Sequence, residues 1–184
     1  IPSRLARGEQ FDIVILADGA LDNLAAQGKV EAGSRVDLAR SMIGMSVRKG
    51  TPKPDISTVD ALKQTLLDAK TIAYSASASG TYLANELFPR LGVAEQMKGK
   101  ATRILSERVG AVVLRGDADI GFQQVSELLP FKELEFVGPL PDEVQQRVFF
   151  SAGVATGAKS PETARHLIRF LAAPAAAPIV RSTG

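Results

Sequence analysis

The feature that most constrains the fold of this chain is its alternation of short apolar segments with helix-like segments. Six segments are predicted as strands, at residues 11–17, 41–48, 71–74, 118–124, 134–138 and 148–156. Amphipathic stretches with helical periodicity lie between most of them. Alternation of this kind indicates an α/β fold with mostly parallel sheets.

Several helix boundaries can also be predicted. Asp18 is expected to cap a helix that runs to Gln27, and residues 57–60 resemble a capping box. Ser160 and Pro161 are expected to open the last clear helix, since proline is favoured at the first helical position. The predicted buried face of that helix consists of Ala164, Leu167, Ile168 and Leu171. The apolar run 11–17 is predicted to be buried on both faces.

The stretch 74–88 is the most informative for function. A predicted strand leads into a turn rich in small residues and hydroxyls, followed by a helix; the hydroxyls belong to Ser75, Ser77, Ser79 and Thr81. Gly80 permits a close approach to the backbone. Unpaired N–H groups and the positive dipole end at the start of a helix suit an anion. An ordinary helix cap explains the same residues equally well.

A second turn of this kind follows Leu105. Ser106 is predicted as the N-cap of a helix that Gly116 ends. Arg108 falls in the first turn, where a cation opposes the helix dipole unless a bound anion is shared with the guanidinium. The alternative is a solvated Arg108 paired with Glu107 or Asp117.

The candidate loops follow the predicted strands 11–17 and 71–74 and a shorter apolar step at residues 104–105. Ligands of open α/β sheets bind beyond the carboxyl ends of the strands, and the loops after Ala17, Tyr74 and Ile104 fit that position. Gln123 and Gln124 end another strand. Because alternation sends them to opposite faces, we expect at most one to meet a ligand. The alternative is that both are ordinary solvated side chains.

Composition excludes several kinds of site. The chain has 184 residues, enough to bury a core as one domain or as two small lobes. Its net charge is +2 with dispersed basic residues, which argues against nucleic-acid binding. With no Cys and one His, His166, it lacks thiolate and multi-histidine metal sites and most histidine-based triads. No apolar stretch reaches the roughly 18 residues that span a bilayer. We expect no metal and no cofactor.

In order and spacing, these segments resemble the type 2 periplasmic binding proteins, in the branch around the periplasmic molybdate-binding protein. The residues that carry the resemblance lie at 11–18, 79–82, 106–114, 116–121 and 160–171. The resemblance implies two α/β lobes joined by two crossing strands, with the ligand clamped between them. Lobe 1 is predicted at residues 1–44 plus 150–184, and lobe 2 at residues 45–149. Residues 1–8 look like the end of a helix, and the family has a strand–helix–strand unit there. We therefore expect this unit to precede Ile1.

The resemblance also implies a ligand site. Ser79 matches a position whose backbone N–H binds the oxyanion in molybdate binders. Arg108 falls where that family has a valine, and Gln124 where it has a tyrosine. The predicted site comprises Ala17, Ser77, Ser79, Gly80, Thr81, Arg108 and Gln124. A planar carboxylate suits a guanidinium, whereas an oxyanion held by neutral donors needs none. We therefore predict a di- or tricarboxylate ligand, with molybdate as an alternative.

Three functions are compatible with this resemblance. The preferred one is a periplasmic protein that delivers an organic anion to a membrane ABC-type transporter. The second is an isomerase like the aconitate isomerases of the same branch, which interconvert cis- and trans-aconitate. The third is the effector-binding part of a transcription regulator, which ranks last because residues 1–10 do not suggest a linker helix.

An isomerase would need a general base, which the sequence does not identify. Glu107 and Tyr82 are candidates, together with the hydroxyls of Ser77 and Ser79. His166 lies beside the apolar stripe of the last helix, so we expect it to have a surface or packing role. The base could equally lie in a segment that precedes Ile1.

Overall fold

The computed structural model describes residues 1–183, which form two compact units. Unit 1 comprises residues 1–40 and 148–183, and unit 2 comprises residues 41–147. The chain passes from one unit to the other within strand β2 and again at the start of strand β7.

Strands and helices alternate as predicted, with one strand, Ala101–Ile104, in addition to the six predicted. The strands are β1 (Ile13–Ala17), β2 (Val36–Arg48), β3 (Ile72–Ser75), β4 (Ala101–Ile104), β5 (Ile120–Gln124), β6 (Leu134–Pro139) and β7 (Arg147–Val154). The helices are α1 (Pro2–Ala6), α2 (Asp18–Ala26), α3 (Val59–Asp68), α4 (Ala78–Tyr82), α5 (Phe88–Arg90), α6 (Ala94–Met97), α7 (Val109–Arg115), α8 (Val125–Leu128), α9 (Pro161–Leu171) and α10 (Ala177–Ser182). A π-helical segment, Leu83–Leu87, joins α4 to α5. None of the described helices is long and apolar enough to cross a membrane.

In unit 1, β1 pairs antiparallel with β7, from Ile13 opposite Val154 to Ala17 opposite Phe150. The prediction that β1 is buried on both faces is wrong, since Val14 is buried but Ile15 is 41% exposed. Within residues 1–183, β1 has only β7 as a strand neighbour. An edge strand of this kind has less cover than an interior one.

The buried face of α9 is narrower than predicted. Ala164 and Ile168 are buried, whereas Leu167 is 46% exposed and Leu171 is half-buried. Residues four apart lie on one stripe of a helix, and Leu167 lies beside that stripe rather than on it. The predicted opening with Pro161 at the first helical position is confirmed.

Unit 2 contains residues 41–48 of β2 together with β3, β4, β5 and β6, with helices on both faces. β3 lies between β4 and β5 and pairs parallel with both, while β2 pairs antiparallel with β5 and β6. One face packs a core that includes Ile43, Met45, Leu62, Leu83 and Phe122. The other packs Ala73 against Val109, Val112 and Val113 of α7. Because β3, β4 and β5 are parallel, their carboxyl ends meet at one edge, which we call the ligand edge.

Several predicted helix starts are wrong. Asp18 lies in the first turn of α2, whose N-cap is Ala17. The cap of α3 is Thr58, whose hydroxyl accepts a hydrogen bond from the Ala61 N–H, so residues 57–60 do not form the predicted box. The N-cap of α7 is Arg108, two residues after the predicted Ser106. The predicted end of α7 is confirmed, since Gly116 has the left-handed backbone, φ 85°, that suits glycine.

Candidate functional site

Three serine hydroxyls form a closed cluster where β3 runs into α4. Ser75 Oγ lies 2.6 Å from Ser77 Oγ and 2.9 Å from Ser79 Oγ, and the latter two are 3.2 Å apart. Ser75 and Ser79 are buried, while Ser77 is exposed. Each hydroxyl has one proton to donate and can rotate. This serine cluster can therefore turn a donor toward an anion that arrives at Ser77.

Gly80 is required by the protein's own backbone. A Cβ built at Gly80 would lie 1.6 Å from the Ser75 carbonyl oxygen and 2.8 Å from the Tyr74 ring. The close approach predicted at this glycine is therefore made by β3, against which α4 packs. Thr81 is exposed, and its backbone N–H is bonded to the Ser77 carbonyl.

Gln123 and Gln124 are both buried, so the alternative of solvated glutamines is wrong. The two amides serve different partners. Gln123 Oε1 accepts from the Val109 N–H at 3.0 Å, and Gln124 Oε1 accepts from Ser41 Oγ at 2.8 Å. These bonds connect the end of β5 to the start of α7 and to β2.

Gln123 shares a face with the serine cluster. Tyr74 of β3 is paired with Phe122 of β5, and Ser75 and Gln123 are the residues that directly follow this last pair. Paired residues on neighbouring parallel strands point to the same side of the sheet, and Gln124 points to the other side. The sequence analysis placed Gln124 in the site, but the structure puts Gln123 on the face that carries Ser75.

Arg108 has no ion-pair partner among the described residues. In the alternative interpretation Arg108 is solvated and paired with Glu107 or Asp117; it is exposed, but that pairing is not formed because Arg115 binds both carboxylates. Its guanidinium reaches the two oxygens of Glu107 at 2.7 and 3.0 Å and Asp117 Oδ2 at 3.0 Å. Arg108 is left exposed at the start of α7, with its neighbour Val109 bound to Gln123.

A second arginine, which was not predicted from the sequence, contacts the segment of residues 75–79, which we call the serine loop. Arg103 of β4 donates from Nη2 to the Ala76 carbonyl at 3.2 Å and is otherwise exposed. Register places Arg103 beside Tyr74, at the carboxyl half of both strands. The available signal was a cation within a four-residue strand that ends at the same edge.

The two named candidates for a general base are engaged in other bonds. The Tyr82 hydroxyl donates to the Val144 carbonyl at 2.8 Å, and burial raises its pKa. The hydrogen bonds from Arg115 lower the pKa of Glu107. His166 is exposed on α9 in unit 1, as expected for a surface residue.

Glu127 is a carboxylate that the sequence analysis missed. It is half-buried in the first turn of α8, directly after β5. Burial raises its pKa, while the Gln123 side chain, the Arg108 charge and the Gln124 backbone N–H act in the opposite direction. The available signal was an acidic residue three positions after the end of a strand that terminates at the ligand edge.

Ala17 lies in unit 1, at the end of β1. It is the N-cap of α2 and has an extended backbone with φ −56° and ψ 138°. Asp18, in the first turn, has one carboxylate oxygen 3.9 Å from Arg35. Among residues 1–183, no cluster of His, Asp or Glu side chains is arranged to hold a metal ion.

Comparison with known proteins gives one family and one similar enzyme. The model of the bacterial extracellular solute-binding protein family matches residues 1–184. An aconitate isomerase from a Pseudomonas species is 48% identical over 184 residues, which is 100% of this chain and 70% of that protein.

Solved structures show the fold. The periplasmic molybdate-binding protein of Azotobacter vinelandii has a TM-score of 0.76 and 18% identity, with 99% of this chain and 80% of that chain covered. Peb3 from Campylobacter jejuni has a TM-score of 0.70 and 12% identity, with coverage of 100% and 82%. The predicted type 2 periplasmic-binding-protein fold is therefore confirmed.

Proposed function

We propose that this chain, which belongs to the family of bacterial extracellular solute-binding proteins, is an aconitate isomerase that interconverts cis- and trans-aconitate. The observation that carries the proposal is the 48% identity, over the whole chain, to the Pseudomonas aconitate isomerase. This reverses the order given by the sequence alone, where delivery of an organic anion to a transporter came first.

The chemistry of the ligand edge supports a substrate with several carboxylates. Arg103 and Arg108 are exposed there, and neither forms an ion pair within 4 Å of a carboxylate among the described residues. Guanidinium groups bind carboxylates through paired, charge-assisted hydrogen bonds. The serine cluster adds hydroxyl donors through Ser77. Aconitate has three carboxylates, so it can use two cations and a hydroxyl site together.

The reaction is a shift of one proton along an allylic system. A base removes a proton from the methylene carbon, the double bond moves by one position, and a proton returns to the former vinyl carbon. Negative charge develops on the carbon framework and spreads to the attached carboxylate. Donors already placed at that carboxylate lower the barrier, because their dipoles and charges need no rearrangement. Arg108 and the serine hydroxyls are suited to this role.

Solute delivery is the second candidate, and the family supports it. Under this proposal the protein binds a di- or tricarboxylate in the periplasm and hands it to an ABC-type permease. Recognition of the carboxylates would use the same arginines and hydroxyls. The two proposals differ in whether the bound molecule is released unchanged.

A proton NMR time course of the full-length protein with cis-aconitate tests the proposal. Citrate, tricarballylate and molybdate are run in parallel. We expect trans-aconitate to appear at a rate proportional to protein concentration. Line broadening without a new product would favour solute delivery. No response to any carboxylate would contradict both candidates.

A further inference from the structure

Glu127 is the side chain at the ligand edge whose properties best suit proton transfer. It follows β5 directly, on the same edge as the serine cluster at the end of β3. Gln123 lies between the two places along the chain and sheet: it follows Phe122, which is paired with Tyr74, and its side chain interacts with the Glu127 carboxylate. The Glu127 carboxylate and the serine cluster therefore follow the carboxyl ends of two neighbouring parallel strands, and the buried Gln123 amide lies at the end of one of them.

The surroundings of Glu127 leave it without a neutralising partner. Helix α8 packs against α7, β5 and β6. Arg108 of α7 acts on Glu127 through its charge but forms no ion pair with it. Arg115 lies at the opposite end of α7 in ion pairs of its own, and Glu135 of β6 lies 3.8 Å from Lys53. Glu127 is thus a half-buried carboxylate beside one exposed guanidinium.

The direction of its pKa shift distinguishes Glu127 from the other carboxylates. Among the described residues, five carboxylates have a clearly shifted pKa. Hydrogen bonds lower the pKa of four of them, Glu9, Asp37, Asp55 and Glu107, whereas burial raises the pKa of Glu127. A general base works best when its pKa approaches the working pH, and burial is the usual means of raising a carboxylate toward that value.

We propose that Glu127 is the general base of the isomerisation and carries the proton between the two carbons of aconitate. This inference rests on the proposed function. The carboxylate takes a proton from the methylene carbon, and the electron pair of that C–H bond forms the new double bond to the central carbon. The pair of the old double bond passes to the outer carbon, to which Glu127 returns the proton. Arg108 stabilises the carboxylate on which charge develops.

A purely structural role for Glu127 makes a different prediction. An acid at the third position of a helix often bonds back to the backbone N–H of the N-cap, here Gln124. Glutamine keeps that acceptor and the volume of the side chain. A capping role therefore survives Glu127→Gln, whereas proton transfer does not.

The experiment compares Glu127→Gln with Glu143→Gln in the full-length protein. Glu143 is an exposed acid of unit 2 outside the site, so it controls for loss of one negative charge. Turnover of cis-aconitate is followed by proton NMR, and binding of tricarballylate, which has no double bond to move, by calorimetry. We expect Glu127→Gln to lower kcat by about 10²–10⁴-fold, as for loss of a general base. The Kd for tricarballylate should change by less than about threefold, and Glu143→Gln should match the wild type.

Other outcomes of this experiment distinguish a wrong assignment of Glu127 from a wrong proposed function. If the wild type converts aconitate and Glu127→Gln keeps kcat within about threefold, the assignment of Glu127 is wrong while the proposed function stands. If the wild type binds tricarballylate but converts nothing, the proposed function fails and the assignment fails with it. If Glu127→Gln loses kcat and tricarballylate binding together, Glu127 shapes the site and is not the base.

The pH profile of the wild type gives a readout that does not depend on a variant folding. The base must be ionised, so kcat/KM should fall as the pH is lowered through the raised pKa of Glu127. The midpoint should lie above about 4.3, the ordinary value for glutamate. Glu127→Asp should retain an acidic limb and lose rate. A wild-type profile that is flat down to the ordinary glutamate range would overturn the assignment.

Discussion

At the scale of single residues, the unpaired arginine is the clearest link between this sequence and an anionic ligand. Arg108 lies where its charge opposes the start of α7, and it forms no ion pair among the described residues. We expect Arg108→Ala to weaken tricarballylate binding by about 1.5–3 kcal/mol, the usual contribution of a hydrogen bond to a charged group. Calorimetry measures the change.

The matched control for that prediction is Arg90→Ala. Arg90 is also exposed and lies at the end of α5, eleven residues along the chain from Ser79 of the serine cluster. Its loss changes net charge by the same amount, so it tests for a general electrostatic effect. Equal weakening by both substitutions would remove Arg108 from the site.

Tyr82 is predicted to be structural. Its hydroxyl bonds the Val144 carbonyl within the unit 2 core. We expect Tyr82→Phe to lower the free energy of unfolding by about 0.5–1.5 kcal/mol, the net value of one hydrogen bond, and to leave aconitate turnover unchanged. Urea unfolding and the NMR assay measure the two quantities. A large loss of turnover with unchanged stability would return Tyr82 to the list of catalytic candidates.

At the scale of elements, the packing of α4 on β3 holds the serine cluster in place. Gly80 allows this because any Cβ there would collide with the Ser75 carbonyl. Backbone cannot move aside as a flexible side chain can, so we expect Gly80→Ala to cost more than about 3 kcal/mol, above the usual range for overpacking. The melting temperature and the yield of folded protein measure this.

Gly99→Ala is the control for the helix packing. A Cβ at Gly99 meets nothing within 4 Å, and its φ lies outside the positive range. Its substitution should therefore be nearly neutral for stability. If Gly80→Ala is equally neutral, α4 does not rest on β3 as the structure shows.

Patterns in the sequence predicted which helices and strands exist better than the residues at which they begin and end. The strand preceding the serine loop and the end of α7 at Gly116 depend on local chemistry, which a sequence shows directly. The start of α7 does not depend on local chemistry alone, because the Val109 N–H donates to Gln123, fourteen residues further along the chain. This contact and the bond from Ser41 to Gln124 provide partners for the two buried glutamine side chains. Long-range partners of this kind have no local signature.

The residues of the candidate site also divide into those that local sequence indicates and those that depend on long-range pairing. The serine loop and Arg108 were found because small hydroxyl residues and a misplaced cation are visible in sequence. Arg103 and Glu127 were missed because their relevance depends on parallel pairing that brings β3, β4 and β5 to one edge. Periodicity indicates that strands exist but does not give their order.

At the scale of the whole molecule, Glu127 should alter the pH dependence of stability. Its raised pKa means that the folded state binds this proton more tightly than the unfolded state. Its contribution is therefore favourable at low pH and is lost as the pH rises from the ordinary glutamate value through the raised one. Glu127→Gln should gain stability relative to the wild type as the pH rises from 4 to 7. Calorimetric melting at both pH values measures this, and Glu143→Gln should show no such gain.

Ligand choice also shows in the stability of the whole molecule, because any molecule that binds only the folded protein raises its melting temperature. At a ligand concentration of 100 Kd the added stability is about 2.7 kcal/mol. With two unpaired arginines at the ligand edge, we expect tricarballylate and cis-aconitate to raise the melting temperature at millimolar concentration. Molybdate should do so far less under this proposal, since a tricarboxylate offers three anionic groups to the two arginines and the serine cluster, whereas molybdate is a single compact anion. Arg108→Ala should reduce the response to carboxylates. A larger response to molybdate than to either tricarboxylate would place this protein with the molybdate binders in ligand as well as in fold.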